Sequence, residues 1–243
     1  MHDIFMLGFD AREMGVRWNR KWDKGEKDTF LYRPDVENPF SIDTAVWPSV
    51  FDKYPELFPA HIGLDMIMWE ELSRLEECLD KNKTLFDRFY IVSFALMRDA
   101  CNKDETVAFD GFLAFLNAGD PSRGARTSGQ PPGIADPAVV DSRWVFLGYD
   151  VATTGPISAL SNCGFSPDTK EEYIEAARAR WGPKLNDFHL FNEYSHAKEF
   201  KNYSNERVPE HAPFFVYGIW LIREVLGAKK PTSSDQSTTG GKN

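Results

Sequence analysis

The feature that most constrains this chain is a 24-residue stretch, 119–142, that carries four glycines and four prolines. Proline lacks a backbone N–H and fixes φ, and glycine weakens regular elements, so neither a continuous helix nor a central strand can run through it. Structureless loops above about 12–15 residues are uncommon inside compact domains, so the stretch reads as a linker, a lid or an insertion. It divides the chain provisionally into a first half, 1–118, and a second half, 143–228, expected to share one core. Residues 229–243, KKPTSSDQSTTGGKN, hold no large apolar side chain. Such a segment cannot offset the entropy of ordering itself and is expected to be a disordered tail.

Hydrophobic spacing then predicts the elements. Leu64, Met68, Leu72, Leu75 and Leu79 recur at intervals of three and four, one face of an amphipathic helix over about 63–81. Thr84 is a candidate cap for a second helix to about residue 100, with Leu85, Phe89, Val92 and Leu96 inward. A third is expected over 104–117, with Val107, Phe112, Phe115 and Leu116 on its apolar side. In the second half, residues 144–151 (WVFLGYDV) form the clearest strand. Asp168 with Glu171 makes a capping box for a helix to Trp181, broken by Gly182-Pro183, and more helix is expected over 184–200. The run 212–226 is apolar almost all round and predicts a buried C-terminal helix. The expected fold is α+β, mainly helical, with a short sheet in the second half.

Charge is concentrated. Residues 34–80 hold eleven of the 37 acidic residues and two of the 28 basic ones, so the remaining 26 and 26 cancel and this segment carries the whole formal net charge of −9. Within it, Glu70, Glu71, Glu76 and Glu77 predict an acidic contact face, suited to steering a basic partner. Nucleic acid is not expected as a partner, because like charges repel phosphate backbones. Three scattered cysteines, Cys78, Cys101 and Cys163, give neither a disulfide framework nor a zinc ribbon and predict a reducing, cytoplasmic setting. The apolar run 4–9 is shorter than a signal-peptide core and no run approaches the ~20 residues of a membrane span.

No signature for a cofactor or for catalysis stands out, and each chemical candidate has a plainer alternative. His189, Glu193 and His196 at offsets of four and seven would share one face of a helix, where two imidazoles and a carboxylate could hold zinc or iron. Cys163 could act as a nucleophile beside a histidine such as His189 or His211, though free cysteines are more often packed thiols. Arg123 and Arg126 in the glycine-rich stretch match neither a P-loop nor a dinucleotide fingerprint. Glu210 and His211 sit between Pro209 and Pro213, on a stiff connector that could pair an acid with a base.

The stretches WVFLGYDV (144–151), LSNCG (160–164) and VPEHAP (208–213) resemble parts of small bacterial proteins of the toxin-immunity type. The resemblance covers about a third of the chain, in the second half. It implies binding and blocking of a cognate toxin, and it carries no catalytic residue. The leading expectation is therefore a non-catalytic cytoplasmic protein-binding module with an acidic contact face. A metal-dependent or cysteine-nucleophile enzyme is the second reading.

Overall fold

The two longest apolar runs of the chain, around Ile91 and Ile219, lie side by side as the central strands of one sheet. The computed structural model describes residues 3–13, 69, 71–98, 107, 109–111, 114, 140–153, 158–160 and 171–228. Among them are four strands: β1 (Asp3–Glu13), β2 (Arg88–Arg98), β3 (Val145–Thr153) and β4 (Phe214–Leu226). The helices are α1 (Leu72–Lys81), α2 (Glu171–Trp181) and α3 (Tyr194–Arg207), with short 3-10 turns at Lys83–Leu85 and Gly182–Lys184. The strands pair antiparallel throughout, in the order β1-β2-β4-β3.

This corrects the mainly helical expectation. The sheet is not short and not confined to the second half: β1 and β2 come from the first half, and β4 bonds to β2 across the Gly/Pro-rich stretch. The helix expected from Thr84 is strand β2, and the buried C-terminal helix expected over 212–226 is strand β4. Both misreadings have one cause. A strand with neighbours on both edges and cover on both faces loses the period-two alternation, so its sequence looks like a helix buried all round. The deciding chemistry is β-branched and aromatic density, Phe-Tyr-Ile-Val in β2 and Phe-Phe-Val-Tyr in β4, which fits a pleated surface better than a helix.

The amphipathic first helix is real but shorter than expected. Trp69 is extended and exchanges both backbone hydrogen bonds with Phe9 of β1, at 2.8 and 2.7 Å, so the helix starts only at Leu72. Leu75 and Leu79 then bury against Ala11, Phe89, Ile91 and Val225 on one sheet face. Leu64 and Met68 lie outside the described residues. Of the third expected helix, Val107, Phe109, Asp110, Gly111 and Ala114 are helical. Val107, expected inward, is 74% exposed, while Phe109 is buried beside Phe5 and Phe215. Strand β3 and helix α2 stand close to where the sequence puts them; the capping Asp168 lies outside the described residues.

The same sheet face receives α2 and α3 at its other end, through Trp181, Phe191 and Phe200 against Ala95, Val151 and Val216. Trp220 of β4 folds back over Gly218, where a methyl group would sit 2.5 Å from the indole Cη2. The opposite face carries Phe5, Phe94, Leu96, Tyr217 and Ile219, joined by Phe109 and Leu190.

Both sheet edges carry backbone partners, β1 at Phe9 through Trp69 and β3 at several positions. On β3, Tyr149 exchanges N–H and C=O bonds with Phe191 at 2.8 and 2.9 Å, the Val151 carbonyl accepts from Ala159 N–H, and the Leu147 carbonyl accepts from the Asn186 amide at 2.7 Å. Gly148, at φ 143°, permits this approach, since a Cβ there would lie 2.6 Å from Leu190 Cβ. Asn186 also accepts from the Phe188 and Leu190 N–H groups, which shapes the loop before α3. Unpaired strand edges are templates for other chains, so this capping keeps the sheet from pairing further along these positions.

Two outcomes are expected. Gly218→Ala forces Trp220 out of its seat and lowers stability by about 1–3 kcal/mol, read by denaturant unfolding, with a changed near-ultraviolet circular dichroism. Asn186→Ala costs about 1–3 kcal/mol, and hydrogen exchange shows the Phe188 and Leu190 amides losing protection while those of β2 keep theirs.

Candidate functional site

Two places gather chemistry: the outward side of α1 and the polar groups buried on the far sheet face. On α1, the apolar spacing that buries Leu75 and Leu79 turns the intervening carboxylates outward. Glu71, at the helix start, pairs with Arg74 at 3.0 Å; Glu77 pairs with Lys81, and Asp80 with Lys83 at 2.9 Å. Glu76 reaches Arg223 of β4 at 3.0 Å and so ties the helix to the sheet. The bond from Lys81 holds the Glu77 carboxyl below its usual value, and the bond from Lys83 does the same for Asp80. Glu70, the fourth residue of the expected acidic face, lies outside the described residues. The carboxylates are therefore present but interleaved with this chain's own cations. Beneath them Cys78 is half-buried, and burial pushes its thiol above the ordinary value.

The expected metal trio is not assembled. The helix expected from residue 184 forms only at Tyr194, because Asn186 bonds hold 185–191 in a turn and Phe191 is engaged with β3. His189 sits in that turn in the left-handed region, φ 54°, Glu193 caps α3 and His196 lies in its first turn, so offsets of four and seven no longer mean one face. Among the described residues no group of three or more His, Cys, Asp or Glu side chains is placed to hold a metal ion. Burial lowers the pKa of His189. Glu210 and His211 are both exposed, in the turn leading to the cis Ala212–Pro213 bond before β4. Cys163, Arg123 and Arg126 lie outside the described residues.

What the sequence reading missed are two buried aspartates. Asp10 of β1 and Arg12, two residues on, point to the same sheet face and are each 5% exposed. Arg12 Nε meets Asp10 Oδ2 at 2.7 Å and its guanidinium lies over the Phe94 ring, 5.1 Å from the centroid. The Ala11 N–H donates to Asp10 Oδ1 at 2.7 Å. Burial nevertheless raises the Asp10 carboxyl above its usual range, with Arg12 and the Ala11 bond opposing. Across the strands Arg12 faces Tyr90, and Tyr90 faces Glu224, which Arg88 pairs at 2.7 Å. This makes a charged row at one end of the face that carries Phe94, Tyr217 and Ile219.

The second aspartate, Asp150 of β3, is fully buried. It accepts from Ser158 Oγ at 2.7 Å and from the Val151 N–H at 2.8 Å, and the Leu160 N–H donates to Ser158 Oγ at 3.2 Å. Asp150 thereby fastens the 158–160 segment to β3. On the neighbouring strand, Tyr217 donates its phenol hydrogen to the Thr153 carbonyl at 2.9 Å. Burial, with the charge of Asp150 adding to it, pushes that phenol far above its ordinary value, so it stays protonated. The available signal was an acidic residue inside an apolar strand run, LGFD and LGYD. Such a residue must carry its own partner.

No family model matches the chain, and neither a curated protein nor a solved structure matches it. None of the described helices is long and apolar enough to cross a membrane.

Removing one member of a buried ion pair strands the other charge, so Asp10→Ala costs about 3–5 kcal/mol in denaturant unfolding. Replacing both members, Asp10→Leu with Arg12→Met, recovers most of that loss. A double variant as unstable as the single one would show that the pair is not the source of the effect. Because Asp10 takes up its proton more readily folded than unfolded, wild type should gain stability over Asp10→Asn as pH falls through its raised pKa. Ser158→Ala removes a buried bond to the Asp150 carboxyl and costs about 1–3 kcal/mol.

Proposed function

We propose that the protein acts by binding another protein that presents a basic surface, with the outward side of α1 as the contact, in the manner of an immunity-type inhibitor. The observation that carries this reading is the set of exposed carboxylates on a helix whose other side is fixed in the core: the side chains of Glu71, Glu77 and Asp80 are 56%, 64% and 59% exposed. A helix anchored by Leu75 and Leu79 presents charge without reorganising, which lowers the cost of association.

The cations already beside these carboxylates do not close the surface. Exposed ion pairs contribute only about 0–1 kcal/mol each, so arginines of a partner can replace Arg74, Lys81 or Lys83 at little loss. Dense negative charge in 34–80, with a neutral remainder, adds attraction for a basic partner and repulsion for nucleic acid. The likeness of 144–151, 160–164 and 208–213 to toxin-immunity proteins supplies the class of partner, a toxin met in the cytoplasm.

The test is association kinetics with the partner captured on the full-length chain from its host. Reversing Glu71, Glu77 and Asp80 to lysine should slow association about tenfold or more at low salt and flatten its salt dependence, leaving the unfolding midpoint close to wild type. Unchanged association at low salt removes α1 as the contact. A partner whose toxicity in cells is not relieved by co-producing this protein removes the immunity reading while leaving the binding reading in place.

A further inference from the structure

We draw no further inference here: the strongest candidate, the charged row Arg12–Tyr90–Glu224 beside buried Asp10 on the sheet face opposite α1, carries nothing, because nothing among the described residues shows what covers that end of the face.

Discussion

The pairing of β2 with β4 is the constraint on which the rest of this structure depends. The two strands run antiparallel in register from Arg88 opposite Leu226 to Met97 opposite Val216, with one irregularity at Ile91/Val92. They come from opposite sides of the Gly/Pro-rich stretch, so their pairing draws the two halves of the sequence into one sheet. Each then has a neighbour on its other edge, β1 on β2 and, along Phe214 to Leu221, β3 on β4, so most of the central pair's backbone lies between two strands. Burial of polar backbone is tolerated only when it is bonded in this way, which is why the most apolar runs of the chain occupy the two central places.

The placement of everything else follows from the two faces of that pair. On one face Leu75 and Leu79 of α1 take one end, and Trp181, Phe191 and Phe200 take the other. The outward side of α1 is therefore a by-product of the inward side: with Leu75 and Leu79 turned to the sheet, Glu71, Glu77 and Asp80 are left at the surface beside Arg74, Lys81 and Lys83. On the other face, buried aspartates sit on the outer strands β1 and β3. Each brings a local partner, Arg12 for Asp10 and Ser158 for Asp150, because a buried carboxyl without one would be strongly destabilising. Breaking a buried ion pair such as Asp10–Arg12 costs more than the pair contributes.

Legibility in the sequence tracked whether a residue's role was local. The α1 spacing, the α2 helix with its Gly182-Pro183 stop and the β3 strand were readable because each is written in neighbours within one or two turns. The central strands were not, since burial on both faces erases the alternation that marks a strand and leaves a run equally compatible with a helix. The site residues divide the same way. Glu71, Glu76 and Glu77 were found as a charge cluster, whereas the cations interleaved with them include Arg223, 147 positions beyond Glu76 and visible only once β4 lies under α1. The His189, Glu193 and His196 trio was plausible only while a helix was assumed, and the hydrogen bonds of a single side chain, Asn186, remove that assumption.

The sequence by itself determined where negative charge accumulates, which face of α1 is apolar and where helix α2 stops. Those properties depend on composition and on contacts between near neighbours. Only the tertiary structure decided that the strongest apolar runs are strands, that they meet across the halves, and that Asp10 and Asp150 are buried with partners. Those facts depend on hydrogen bonds and burial between residues far apart in the chain, which no local pattern encodes.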